Sequence, residues 1–434
     1  MNSINNLTRA LDNKKVQYIA IVVLFYVFAV YEYKVFIVKH YSYIGFEYDP
    51  SLFKICLSIV IFLSSFFFLI VRSSPFIKGI SSLIQILTLL PILIVFQFQE
   101  LNPSYIICSL LWLFLINSSV FHIKIPKVIT LKQNQKSLLL LIITICCFVP
   151  FFFIYPIHFN LDLFKLGEET YEVRAELNTI GNLFTSYVIS PLSTILLPIC
   201  AIYGLKENRF GMAVFAVLGT MLLFLMTPHK SIFFGIFVVI FFYFKRNIFS
   251  KTLLFASLLL ILLVIGKLIY LINGDLTIES LFYRRYLLLP ALLNQMYFDF
   301  FEGNSIYFSN SFLSSFIDYP YKIDPAHLIG VELYNNPETH ANNGFLSDGF
   351  MNLGYYGMIL FTVIVSAIIK FLDALKIDPR YFGLFFLMMN LFRSAALSTS
   401  LLTHGLWVLI IICFFIITDQ SDKVNIKVSD CKTE

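Results

Sequence analysis

The sequence predicts an all-α polytopic membrane protein, with about twelve transmembrane helices and one large folded loop on the outer side of the membrane. Three observations carry that expectation. The chain is 59% hydrophobic and 13% charged, against roughly a quarter charged in a soluble domain, so its apolar surface exceeds what one water-soluble core can bury. Apolar runs recur along the chain, most of them long enough to cross a hydrocarbon layer of about 30 Å at about 1.5 Å per residue. Lysines and arginines collect in alternate connecting segments, the asymmetry that orients such helices.

In chain order the candidate spans are 17–37, 53–71, 79–98, 104–121, 137–157, 181–203, 210–226, 231–244, 252–270, 353–370, 381–397 and 401–418. The polar stretch from Met1 to Lys15 is followed by an apolar run without a small-residue cleavage pattern, as expected of a retained first span with a cytoplasmic N-terminus. In that orientation the inner segments hold Arg9, Lys14 and Lys15, then Arg72 and Lys78, then Lys124, Lys127, Lys132 and Lys136. They continue with Lys206 and Arg209, with Lys245, Arg246 and Lys251, with Lys370, Lys376 and Arg380, and with Lys423, Lys427 and Lys432. The chain divides accordingly into a nine-span membrane domain over 1–270, a large outer loop with interfacial helices over 271–352, a three-span membrane domain over 353–418 and a cytoplasmic tail over 419–434.

The net charge of +5 is therefore topological. No basic stripe is interleaved with solvent-facing aromatics, so nucleic acid is not an expected partner. Cys56, Cys108, Cys146, Cys147, Cys200 and Cys413 lie in apolar stretches and Cys431 in the tail, which leaves neither metal-ligand spacing nor an outer-loop disulfide pair.

Basic residues that topology does not place are the functional candidates: Arg174, Lys230, Arg284, Arg285 and Arg393. Lys230 follows Thr227-Pro228-His229 at a helix start, where free N–H groups favour an anion; snorkelling to lipid phosphates fits the same position. Arg393 falls within a span, where charge is tolerated beside a partner or a wet cavity, and His404 at the start of the last span faces the same cavity or simply packs. In the first long outer loop Arg174 sits among carboxylates that include Glu172. The second opens with Leu281-Phe282-Tyr283-Arg284-Arg285-Tyr286, an apolar helical pattern headed by paired guanidinium groups suited to a phosphate or pyrophosphate. It closes with the run from His340 to Gly357, in which Asn343, Asp348, Asn352 and several glycines gather before a span.

That last run, with Arg284-Arg285, Arg174, the Thr227-Pro228-His229-Lys230 turn and the twelve-span layout, resembles the O-antigen polymerases, the oligosaccharide repeat-unit polymerases of bacterial surface polysaccharide synthesis. The resemblance covers most of the chain through motifs that are loose. It implies a fold similar to the C-type glycosyltransferases, in the bacterial inner membrane. It implies a membrane glycosyltransferase that joins undecaprenyl-pyrophosphate-linked oligosaccharides at the periplasmic face into O-antigen or capsule, without a cofactor. The expected partners are those lipid-linked glycans and the lipid bilayer, with room for a polysaccharide chain-length regulator. Arg284 and Arg285 would stabilise the departing pyrophosphate, with Arg174, Lys230 and Arg393 as further anion contacts. His340 or Asp348 would take the acceptor proton, with Glu172 behind them, while Asn343 and Asn352 orient sugars. Two other readings stay open: a ligase moving finished glycan to lipid A core, for which His340 speaks, and a lipid-linked oligosaccharide flippase, against which stands the lack of matched halves.

Overall fold

The computed structural model of the chain describes residues 2–121, 123–125, 131–157, 180–228, 230–245, 247–334 and 339–418. All regular structure among them is helical. The helices are α1 (Asn13–Ile44), α2 (Leu52–Ile70), α3 (Pro75–Phe98), α4 (Pro103–Asn117), α5 (Gln133–Ile154), α6 (Leu183–Lys206), α7 (Phe210–Met226), α8 (Lys230–Tyr243) and α9 (Ile248–Asn273). They continue with α10, in which a π-helical stretch Glu279–Leu288 runs into Leu289–Phe301, then α11 (Pro325–Tyr334), α12 (Phe345–Ala374), α13 (Phe382–Ser394), α14 (Leu397–Leu402) and α15 (Leu406–Ile417). Each predicted span overlaps one of these helices. Seven of them, α1, α2, α3, α5, α6, α9 and α12, are long and apolar enough to cross a membrane; α4, α7 and α15 are apolar but shorter.

Two compact units divide the chain. The first comprises Met1–His122, Asn247–Lys370 and Met389–Leu397, and the second Ile123–Arg246, Phe371–Met388 and Ser398–Glu434.

In the first unit α3 is the central element. Its most apolar window is 100% buried in protein, whereas those of α2 and α9 are 33% and 28% buried, so α3 is walled by helices and the other two present broad apolar faces outward. On α2 that outward face carries Leu52, Phe53, Val60, Leu63, Phe67 and Ile70, which suits lipid and not water. Proline at the first position and Ser74 as the cap, its Oγ accepting from Ile77 N at 3.1 Å, start α3. Polar side chains then lash its neighbours to it: Gln85 Nε2 donates to Ser65 Oγ at 2.7 Å, Gln97 Nε2 to Tyr26 Oη at 2.6 Å, and Tyr33 Oη to Gln99 Oε1 at 3.0 Å. Away from water such groups have no other partner, so they fix helix register as well as contact.

The second unit is built around α6, whose apolar window is 72% buried. Arg209 Nη1 donates to Ser137 Oγ at 2.7 Å, joining the start of α7 to α5, and Tyr155 and Thr185 hydroxyls meet at 3.1 Å between α5 and α6.

The run from His340 to Gly357, expected as loop before a span, is helical from Phe345 onward. The helix then breaks at Leu353 (φ −136°, ψ 16°) and Gly354 (φ 60°, ψ −148°), a left-handed conformation that glycine adopts without steric cost. Such a break frees carbonyls. Those of Met351 and Asn352 accept from Ile306 N at 2.9 Å and Tyr307 N at 3.2 Å, which docks the loop segment onto α12.

Candidate functional site

The first unit gathers most of the predicted residues around α10. Its π-helical half is continuous with a conventional helix that starts at Leu289-Pro290, and the wider turn re-aims successive side chains, a feature common at functional sites. Leu287, Leu288, Ala291, Leu292, Tyr297 and Phe298 bury the element's apolar side in protein.

Arg284 is half-buried. Its guanidinium lies 4.2 Å from the centre of the Tyr41 ring and donates twice to Ser280 Oγ, from Nη2 at 2.8 Å and from Nε at 3.2 Å. No carboxylate pairs with it among the described residues. Arg285, next to it, is exposed.

The same unit holds a cluster of buried charge. Lys267 Nζ of α9 binds Glu32 Oε2 of α1 at 2.9 Å, where Glu32 is fully inaccessible. Glu279 is 1% exposed, and neither of its carboxylate oxygens has a hydrogen-bond partner among the described residues. Burial pushes the Glu279 carboxyl up to about 7, the Glu32 carboxylate adding to the effect and Lys267 opposing it. Also in this unit, His40 Nε2 and Tyr270 Oη are 3.0 Å apart.

A second centre surrounds Arg393. The side chain is buried, its guanidinium 4.6 Å from the centre of the Tyr286 ring, with Nη1 donating to Leu87 O at 3.2 Å and Nη2 reaching Asn390 Oδ1 at 3.5 Å. Tyr286 Oη donates to the same Asn390 oxygen at 2.9 Å, and Arg393 Nε has no partner among the described residues. The backbone of Arg393 is held as well. Asn294 Nδ2 donates to its carbonyl at 3.3 Å, while Asn294 Oδ1 accepts from Gly344 N at 2.9 Å and Ser347 Oγ at 2.5 Å. A Cβ at Gly344 would meet Arg393 O at 2.5 Å, so only glycine allows this approach.

Asp348 and Asn352 belong to the same frame. Asp348 Oδ2 accepts from Leu397 N at 2.7 Å, capping α14, and Oδ1 accepts from Asn352 Nδ2 at 2.9 Å; Asn352 Oδ1 in turn accepts from Phe308 N at 2.8 Å. Both Asp348 oxygens are thus engaged in holding backbone and side chain. Asn343 is buried, and its Nδ2 has no partner among the described residues.

His340 is exposed and stands elsewhere in the loop, its ring 3.7 Å centre-to-centre from that of His327, which contacts Asp324 through Nδ1. Burial opposes ionisation of Asp324, yet hydrogen bonds from the His327 side chain and backbone and from Ala326 N hold its carboxyl below the usual range. In the second unit His404 Nδ1 and Ser190 Oγ are 3.1 Å apart, and Lys230 is the first residue of α8. Glu172 and Arg174 lie outside the described residues.

Sequence reasoning passed over Tyr286, Asn390, Asn294, Tyr41, Glu32, Lys267, Glu279, Asp324 and His327. Glu32 and Lys267 carried a usable signal, being charges inside apolar runs. So did Asp324 and His327, three residues apart at a helix start. Tyr286, Asn390 and Asn294 did not, because an amide or a phenol next to a span is ordinary.

No family model, no curated protein and no solved structure matches the chain.

Proposed function

We propose that this chain is a membrane glycosyltransferase that joins polyprenyl-pyrophosphate-linked oligosaccharides into a surface polysaccharide. The observation that carries this reading is the state of Arg284: its charge is braced by a hydroxyl and an aromatic ring instead of being neutralised by a carboxylate, beside an exposed second arginine. A braced guanidinium fork is preorganised for an anion, and for a pyrophosphate it can supply two parallel charge-assisted hydrogen bonds. Its position supports a lipid-borne substrate, since α10 follows closely on the end of the apolar helix α9.

In this reading all twelve apolar segments cross a bacterial inner membrane, in an arrangement resembling the C-type glycosyltransferases, and the loop from 271 to 352 faces the periplasm. Arg284 and Arg285 hold the leaving pyrophosphate. Arg393, Tyr286 and Asn390 form the adjoining polar wall, and Asp348 and Asn352 keep the loop on that wall. The acceptor hydroxyl gives up its proton at the His340 cluster by way of water, because the oxygens of Asp348 are already engaged. A chain-length regulator is a natural partner for such an enzyme.

The test is deletion of the gene in its host, with the length of the surface glycan resolved by electrophoresis. The expected result is glycan limited to one repeat unit; core bearing no repeat at all points to a ligase, and repeat units trapped inside the cell to a flippase. In complementation, Arg284→Ala is expected to restore no long chains although the protein inserts. Long chains from that variant would remove Arg284 from the leaving-group role.

A further inference from the structure

Asp324, His327 and His340 form a cluster built by backbone as well as by side chains. Asp324 caps α11, its Oδ1 accepting from Ala326 N at 3.0 Å and His327 N at 3.2 Å, which leaves Oδ2 directed at His327 Nδ1. Three contacts hold the segment bearing His340 in place, two with the same helix and one with α10. Ala341 N donates to Ala326 O at 3.0 Å, Tyr297 Oη donates to Ala341 O at 2.7 Å, and Gly330 of α11 lies so close to Thr339 O that a Cβ there would collide with it. One ligand atom from each of the three residues lies within 4.8 Å of the other two. Asp324 and His340 are exposed and His327 is half-exposed, so the cluster is open to solvent.

We propose that Asp324, His327 and His340 bind one divalent transition-metal ion of the zinc type, with a coordination position left open to water or to an oxygen of a bound sugar or phosphate. Two imidazoles and a carboxylate are the donor set that such borderline ions prefer, whereas magnesium and calcium favour all-oxygen cages. Around zinc, with bonds of about 2.0–2.2 Å, tetrahedral ligand atoms stand about 3.4 Å apart. Asp324 Oδ2 and His327 Nδ1 already stand closer together than that, so the ion replaces their direct contact, and side-chain rotation sets the three ligand atoms at this spacing while the capped helix and the anchored Ala341 stay in place. Three protein ligands leave the open position characteristic of zinc sites that do chemistry. The inference does not rest on the glycosyltransferase reading, and binding is measured without any assay of activity.

The experiment uses the untagged full-length protein in detergent, stripped with a chelator. Zinc is titrated by calorimetry and cobalt(II) by its visible absorption. One zinc per chain is expected, unaffected by excess magnesium, with a cobalt spectrum of nitrogen–oxygen ligation. His327→Phe and His340→Phe each are expected to weaken zinc by more than about 100-fold, beyond what loss of an outer-sphere partner costs. Asp324→Asn keeps a residue that caps helices and should weaken zinc at least about tenfold. Should His327→Phe fail to fold, His340→Phe carries the test, because His340 is exposed. Zinc binding by His340→Phe equal to that of the unsubstituted protein, or no zinc taken up by the latter, overturns the proposal.

Discussion

Lys267 and Glu32 meet at 2.9 Å in the interior of the first unit, with Glu279 close to both and its carboxylate without a hydrogen bond among the described residues. Removing one member of a buried pair leaves the other charge uncompensated, so Lys267→Met is expected to destabilise the protein by about 3–5 kcal/mol. Thermal unfolding in detergent measures this, and Lys267→Met combined with Glu32→Gln should recover most of the loss. Glu279 gives a pH signature. Its carboxyl titrates near 7 in the folded chain and near 4.5 as a free group, so the folded state binds the extra proton between those values. Its contribution to stability is therefore fully present below about 4.5 and falls as pH rises through about 7. The stability difference between the unsubstituted protein and Glu279→Gln is expected to shift against the former over that range; a difference independent of pH would mean that Glu279 is ionised throughout.

At the scale of elements, α10 and α12 do the positioning. The π-helical stretch puts Arg284 on Tyr41 and Tyr286 on Arg393 from one short segment. The break in α12 turns freed carbonyls toward the loop. Gly344 is where the two systems touch. Gly344→Ala would press a methyl group into Arg393 O and Asn294 Oδ1, and overpacking of this kind costs about 1–3 kcal/mol. Its melting temperature should fall, whereas Gly211→Ala, at a site with open space around it, should leave stability nearly unchanged. Part of this was legible beforehand. The glycines between His340 and Gly357 pointed to close backbone approach, which Gly344 makes to Arg393 O. The π-helical register and the break at Leu353-Gly354 were not, since both arise from how neighbouring helices satisfy the backbone and not from local composition.

For the molecule as a whole, the outward apolar faces of α2, α5 and α9 call for a bilayer. Single cysteines test the orientation that the basic residues predict. In a background without native cysteines, Asn310→Cys in the large loop should react with an impermeant maleimide added to intact cells with a permeabilised outer membrane, and Gln135→Cys at the start of α5 should react only after lysis. The reverse pattern would place the loop in the cytosol and remove the basis for a periplasmic site.

The membrane class, the helical content and the approximate place of each apolar helix were determined by the sequence itself, because burial in lipid is paid for residue by residue and leaves a one-dimensional trace in hydropathy and charge. Which polar residues meet was decided only in three dimensions. His340 joined Asp324 and His327, Asp348 became a cap for α14, and Arg393 found Tyr286, Asn390 and Leu87. Those pairings depend on helix rotation and backbone breaks, which many long-range contacts fix together and no single stretch of sequence encodes.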